Sequence, residues 1–211
     1  MAKGNKSREK KCLALDLDNT LIFAKKIEHN PKKAMIKKDK YCIYAKSKNG
    51  NEYEIKERPF LSIFLKHLKK LYKLVIFTSA KKEYCEMILK SIYKKKYFNK
   101  IFSRENMIRN KKRLNLIAEK LKLPKKKIIF IDDNQEFVHR EDIPNSLKIS
   151  SFKGDKKDYA LPIITAKLIM ISEYEDVKEG IKRLDNPTKD DDEIIKQILQ
   201  AIPYSAFNIN K

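Results

Sequence analysis

The sequence predicts an α/β fold, a doubly wound parallel sheet with a small β-hairpin insert after the first strand. Three observations predict it. The apolar runs Cys12-Leu13-Ala14-Leu15, Leu74-Val75-Ile76-Phe77 and Ile128-Ile129-Phe130-Ile131 read as strands buried on both faces. Stretches with apolar residues at helical spacing separate them, and strands alternating with helices imply a parallel sheet. The first and third runs lead straight into the acidic pairs Asp16/Asp18 and Asp132/Asp133, and open α/β sheets place reactive groups beyond the carboxyl ends of their strands.

Taken in order, residues 1–10 read as a disordered basic arm and residues 11–185 as the main domain. The first strand runs from Cys12 to about Leu17. Residues 24–57 interrupt the alternation; within them Tyr41-Cys42-Ile43-Tyr44-Ala45 and Tyr53-Glu54-Ile55 flank Lys48-Asn49-Gly50-Asn51, and Asn-Gly between β-prone runs signals a hairpin. Arg58-Pro59 opens an amphipathic helix carrying Phe60, Leu61, Phe64, Leu65, Leu68 and Leu71 on one face. Leu74–Phe77 is the next strand, ending at Thr78-Ser79. A helix from about Lys82 to Tyr93 turns Tyr84, Ile88, Leu89 and Ile92 inward. Ile101-Phe102-Ser103 is a short strand, Leu114–Leu123 a helix, Ile128–Ile131 a strand, and 146–151 one more. Tyr159–Ile171 and Glu175–Leu184 show apolar periodicity. Asn186-Pro187 is a break, so 186–211 forms a C-terminal helix and tail, with Asp190-Asp191-Asp192 placed where a helix N-terminus favours acids.

Composition bounds the function. A chain of 211 residues with 42% hydrophobic content is ample for a sizeable core. Three widely spaced cysteines, Cys12, Cys42 and Cys85, without a CxxC pair argue against a disulfide framework or zinc site and favour a reducing compartment. The N-terminus lacks the apolar core of a signal peptide, and Ala160–Ile171, the most apolar later stretch, is too short to span a bilayer and contains Lys167. An intracellular protein, nuclear or cytoplasmic, without a membrane partner, is expected. The net charge is +21, but only seven of the 49 basic residues are Arg. Base-reading proteins lean on the bidentate Arg fork, whereas spread Lys attracts polyanions generally. The charge therefore points to acidic partners, including non-specific nucleic acid, without choosing among them.

The chemistry concentrates in Asp16-Leu17-Asp18-Asn19-Thr20. Two carboxylates this close repel each other and are costly to bury; a divalent cation relieves the repulsion, and Mg²⁺ takes oxygen ligands of this kind. The plainer alternative is an Asp-rich turn capping a helix with Thr20. Downstream strand ends deliver Thr78, then Asp132 and Asp133, and Lys111-Lys112-Arg113 open the helix between. Thr78 has the alternative of a strand-end turn or helix cap, Asp132-Asp133 that of a turn with Asn134, and the lysines that of solvated charge. A phosphoryl-transfer site needs a nucleophile, a metal, an acid/base and donors to the phosphate oxygens, and each has a candidate here.

These motifs resemble the haloacid-dehalogenase (HAD) superfamily of phosphatases. Within it, Leu-Asp-Leu-Asp-x-Thr-Leu, Arg58-Pro59 with Phe64-Leu65, Phe77-Thr78-Ser79-Ala80 followed by Tyr84, and Lys112-Arg113-Leu114 ahead of Ile131-Asp132-Asp133 are similar to the subgroup that dephosphorylates the carboxy-terminal domain of RNA polymerase II. The resemblance covers about residues 11–150 and implies a HAD-like Rossmannoid fold. It implies that Asp16 attacks phosphorus to form an aspartyl-phosphate, and that Asp18 acts as general acid and then general base. Asp16, the Asp18 backbone carbonyl and Asp133 would hold Mg²⁺ with Asp132 beside them. Thr78 would bind a phosphate oxygen, and Lys112, or Lys111 in its place, would offset the charge. The implied function is hydrolysis of phosphoserine or phosphothreonine in an acidic phosphoprotein. Phosphatases of nucleic-acid 3′ ends or small metabolites are the alternatives within the superfamily. A non-catalytic phosphopeptide-binding module is the alternative outside it, and having both Asp16 and Asp18 speaks against that. His139, Cys85 and Lys125-Lys126-Lys127 read as structural or surface residues, and Tyr41, Tyr44 and Tyr53 either line a peptide groove or pack the hairpin.

Overall fold

The run Lys11–Leu15 is buried at every position and forms strand β1. A computed structural model describes residues 9–27 and 42–201 of the chain. After β1 come β2 (Ile22–Ile27), β3 (Ile43–Lys46), β4 (Glu52–Glu57), α1 (Leu61–Leu71), β5 (Tyr72–Phe77), α2 (Lys82–Ser91), β6 (Lys100–Phe102), α3 (Leu114–Leu121), β7 (Ile128–Asp132), β8 (Ser146–Lys148), α4 (Ala160–Ser172), α5 (Val177–Asp185) and α6 (Lys189–Ala201). Five of the strands make one sheet in the order β6-β5-β1-β7-β8, parallel throughout. The chain builds outward from β1 to β5 and β6, then returns to place β7 and β8 on the other side. The strand order thus reverses at β1, where such sheets open a crevice at their carboxyl ends.

Strand alternation sorts the core into two layers. Leu13, Leu15, Leu74, Ile76, Ile129 and Ile131 face the layer that holds Phe64, Leu65 and Leu68 of α1, Ile88 and Leu89 of α2, and Leu161 and Leu168 of α4. Cys12, Ala14, Val75, Phe77, Ile128 and Phe130 face the opposite layer, with Leu114 and Ile117 of α3. Burial on both faces explains why these strands read as uninterrupted apolar runs rather than alternating ones. Cys85 is fully buried, in keeping with a packing role. The predicted strand over 146–151 stops at Lys148, and the last bond of its ladder is the one that the Ile149 N–H donates to the Asp132 carbonyl at 3.2 Å.

The insert is larger than a hairpin. Its expected turn is present: Gly50, at φ 80°, donates to the Ser47 carbonyl, a backbone conformation glycine adopts without steric penalty. A third strand joins it, however, because β2 starts immediately after the acidic motif and pairs with β4, giving an antiparallel sheet in the order β2-β4-β3. Tyr53 turns inward, its ring edge-on to Tyr84 of α2 at 5.3 Å, so it packs rather than lining a groove. Tyr41 and most of the basic arm lie outside the described residues. Among the described residues no helix is long and apolar enough to cross a membrane.

Arg58, buried to 1% exposure, ties the acidic motif to the C-terminal half. It donates to both carboxylate oxygens of Asp158 at 2.8 Å, to the Thr20 carbonyl at 3.0 Å, and to the carbonyl and hydroxyl of Ser150 at 2.8 and 2.9 Å. Its guanidinium also lies 5.4 Å from the centre of the Phe152 ring. Every guanidinium nitrogen has a partner, so removing the group strands a largely buried carboxylate and two carbonyls. Arg58→Ala is expected to lower stability by about 3 kcal/mol, read from the midpoint of chemical denaturation; a loss below about 1 kcal/mol would contradict this role.

Candidate active site

At the end of β1 the backbone cannot run on as a strand, because Asn19 adopts a left-handed conformation at φ 57°, which Asn tolerates better than most residues. Leu21 and Ile22 both donate to the Leu17 carbonyl, and Asn19 donates to Ile22 at 2.7 Å. This tight loop projects Asp16 and Asp18 past the sheet edge. Asp16 itself stays in register with β7, its N–H donating to Ile131 at 3.0 Å. Thr20 clasps the loop to the end of β7: its hydroxyl donates to Asp133 Oδ1 and accepts from the Asp133 N–H, both at 3.2 Å. Oxygens of Asp16, Asp132 and Asp133 thereby lie within 4.8 Å of one another.

Three carboxylates so close need a cation, and the chain supplies Lys112. Its Nζ donates to Asp16 Oδ1 at 2.7 Å and to Asp132 Oδ2 at 2.6 Å, and the residue is 1% exposed. Lys112 lies in an extended stretch just before α3. Its N–H donates to Phe137 at 2.7 Å and its carbonyl accepts from His139 at 2.9 Å. Two residues on, Leu114 donates to the buried Asp142 carboxylate at 2.9 Å. Lys111, the alternative from sequence, points elsewhere and donates to the Glu136 carbonyl. Burial would lower the Lys112 pKa, but the charges of Asp16 and Asp132 outweigh it and hold the ammonium above its ordinary value. Burial pushes the Asp16 carboxyl up, with Lys112 pulling against it. Asp132 is likewise raised, by burial and then by the Asp16 charge.

Asp18 is held separately. Its Oδ1 accepts a 2.6 Å hydrogen bond from the Tyr84 hydroxyl, and its carboxylate is not among those that converge with Asp16, Asp132 and Asp133. Burial raises its pKa to about 6, against the lowering effect of the Tyr84 bond. Thr78 is buried at the end of β5. Its N–H donates to Phe102 and its hydroxyl accepts from the Ala80 N–H at 3.1 Å, which leaves the hydroxyl proton to be donated. The β1–β5 register pairs Leu15 with Ile76, placing Thr78 level with the acidic motif.

The cluster suits Mg²⁺ by its donor set: hard carboxylate oxygens converging at one strand end, with no nitrogen or sulfur among them. Among the described residues Asp133 Oδ2 has no hydrogen-bond donor, whereas both Asp132 oxygens are engaged, by Lys112 and by the Asn134 N–H. Sequence reasoning did not anticipate Thr20 as a clasp, Tyr84 as the partner of Asp18, or Arg58 as a tie. The available signal was the inward-facing polar residue on an otherwise apolar helix face.

A family model for NLI interacting factor-like phosphatases matches residues 11–178. The chain belongs to this family. Its curated relatives include the CTD phosphatase-like protein 355R of Invertebrate iridescent virus 3, 34% identical over 86 residues, which are 40% of this chain and 45% of that one. Another is the mitochondrial import inner membrane translocase subunit tim50 of Dictyostelium discoideum, 28% identical over 138 residues, 63% of this chain and 36% of that one. The matched region is therefore less than half the length of either relative. The fold is that of the fission yeast RNA polymerase II CTD phosphatase Fcp1 bound to beryllium fluoride, with a TM-score of 0.54 at 19% identity over 90% of this chain and 62% of that one. A second structure of Fcp1 gives a TM-score of 0.53 at 22% identity, over 89% and 52%. The NLI interacting factor-like fold thus accommodates both the five-stranded parallel sheet and the small antiparallel one.

The Asp18–Tyr84 pair generates a pH prediction. The folded-state value of about 6 lies above the ordinary 3.8, so the folded state binds the extra proton and this group's contribution to stability falls as pH rises from about 4 to about 6. Asp16 and Asp132 act in the same direction. Metal-free protein should therefore lose stability across that window, and Asp18→Asn should reduce the slope. Tyr84→Phe removes the hydrogen bond to the charged form and should raise the Asp18 pKa by about one pH unit, measured by carboxyl NMR titration.

Proposed function

We propose that the chain is a Mg²⁺-dependent protein phosphatase that hydrolyses phosphoserine or phosphothreonine through an aspartyl-phosphate on Asp16. The observation that carries this reading is the pairing at the end of β1: Asp16 against the Lys112 ammonium at 2.7 Å, and Asp18 two residues on, held by Tyr84 with a pKa of about 6. A nucleophile needs a charged carboxylate next to a cation, and a general acid/base needs a pKa near the working pH. Here the two needs are met by separate partners.

Asp16, the Asp18 carbonyl and Asp133 would hold the metal, with Asp132 behind them fixing Lys112. A bound Mg²⁺ would neutralise charge on the phosphate and on the carboxylates around it. The Asp16 carboxylate attacks phosphorus, and the protonated Asp18 gives its proton to the leaving serine or threonine oxygen. The same Asp18, now charged, takes a proton from the water that hydrolyses the aspartyl-phosphate. Lys112 and the Thr78 hydroxyl donate to the equatorial phosphate oxygens as charge shifts toward them. The small three-stranded insert beside the site, in place of a large cap, favours a macromolecular substrate over a small metabolite. Family membership favours protein, and the relatives named for CTD phosphatase activity favour phosphoserine.

Three outcomes test the reading. Asp16→Asn should abolish turnover of phosphopeptide and of an aryl phosphate while circular dichroism stays unchanged; near wild-type hydrolysis by this variant would remove the covalent mechanism. Chelation should silence the protein, added Mg²⁺ should restore it, and beryllium fluoride should bind only with Mg²⁺ present. Faster turnover of 3′-phosphorylated oligonucleotides than of any phosphopeptide would move the function to nucleic-acid ends.

A further inference from the structure

An open cavity of about 480 Å³ is bounded by the turn before α3 and the loop after β7. Lys111, Lys112 and Arg113 follow one another in an extended stretch, where consecutive side chains turn to opposite sides. Lys112 turns to the carboxylates, and Lys111 and Arg113 line the cavity. Arg109 and Arg140 join them, with His139 and one carboxylate, Glu136. The volume falls in the range of small-ligand sites, about 300–1,000 Å³.

The cations here differ from the rest of the surface. Only seven of the 49 basic residues in the chain are Arg, yet three of those seven line this one cavity. Among the described residues, Arg109, Arg113 and Arg140 form no ion pair and no hydrogen bond, and the Arg113 Nε is shielded from water without a partner. By contrast, Arg58 and Arg183 are paired with Asp158 and Asp191. Several unpaired guanidinium forks around one volume match a phosphate dianion, which accepts bidentate hydrogen bonds from Arg more effectively than from Lys. A nucleic-acid backbone calls instead for a continuous basic track with stacking aromatics. This cavity is discrete, and the Glu136 carboxylate stands in it.

We propose that this cavity is a second phosphate-binding site, which takes the phosphate of a second phosphorylated residue in a multiply phosphorylated peptide. The choice of occupant rests on the phosphatase reading above. The two sites are built on consecutive residues of one segment but on its opposite sides, so a peptide that fills both passes around that segment in extended form.

The test is calorimetric binding of singly and doubly phosphorylated peptides of one sequence to the full chain in an Asp16→Asn background, which prevents hydrolysis. Arg113→Gln and Arg140→Gln are each added. The doubly phosphorylated peptide should bind more tightly than the singly phosphorylated one, and each Arg substitution should weaken it about tenfold while changing the other less than twofold. In otherwise wild-type protein the same substitutions should leave aryl phosphate turnover within twofold. Thermal denaturation checks the fold, and Arg109→Gln on its exposed turn replaces any variant that unfolds. Equal binding of the two peptides, or equal losses on both, overturns the proposal, as does an unphosphorylated oligonucleotide that competes equally well and is equally weakened by the substitutions. Absence of aryl phosphate turnover in wild-type protein would instead count against the phosphatase reading, while the difference in peptide binding remains readable.

Discussion

The site rests on a single buried ammonium. Asp16, Asp132 and Asp133 come from the ends of two adjacent strands, and β1 and β7 cannot pair as they do without bringing them together. Desolvation and mutual repulsion would protonate such a cluster or push it apart. Lys112, bonded at 2.7 and 2.6 Å to Asp16 and Asp132, allows it to be both buried and charged. The ammonium is as dependent on the carboxylates as they are on it, since burial alone would favour the neutral amine. Its placement therefore matters more than its charge, and that explains the backbone bonds to Phe137 and His139 and the Asp142 contact at the start of α3.

Around this pair the fold divides the labour. Asp18 is separated from its neighbour by only one residue, yet it belongs to a different network: Tyr84 holds it, and Tyr53 of the insert sheet braces Tyr84. The insert thus supports Asp18, the proposed general acid, and shortening it should disturb that side chain. Thr20 and Arg58 fasten the acidic loop to β7 and to the segment before α4. The loop after β1, which would otherwise be mobile, becomes rigid enough to hold reacting groups in position.

What could be read from the chain follows physical lines. Strands buried on both faces leave apolar runs, so β1, β5 and β7 were legible, and with them the strand ends where Asp16, Asp18, Thr78, Asp132 and Asp133 sit. Local periodicity also revealed α1, α2 and α3. The third strand of the insert sheet was not legible, because Ile22–Ile27 is short, carries two lysines and finds its partner only through β4. The contacts of Thr20 with Asp133, Tyr84 with Asp18 and Arg58 with Asp158 join residues 113, 66 and 100 positions apart, and a Tyr or Arg at such a position carries no local mark of its partner. In a Lys-rich chain Lys111 and Lys112 were equivalent by type; the alternation of an extended segment separates them. The same alternation creates the Arg-lined cavity, which composition alone had averaged into a diffuse positive charge.

If Asp16 carries the phosphoryl group as proposed, that intermediate can be trapped. Asp18→Asn protein, in which the water-activating base is missing, is mixed with an aryl phosphate of good leaving ability and Mg²⁺, quenched in acid and analysed by peptide mass spectrometry. One added phosphoryl group per chain is expected, mapped to Asp16, labile to hydroxylamine and absent when Asp16 is also replaced by Asn. Rapid phosphate release by wild-type protein with no adduct on Asp16 in either protein would contradict it.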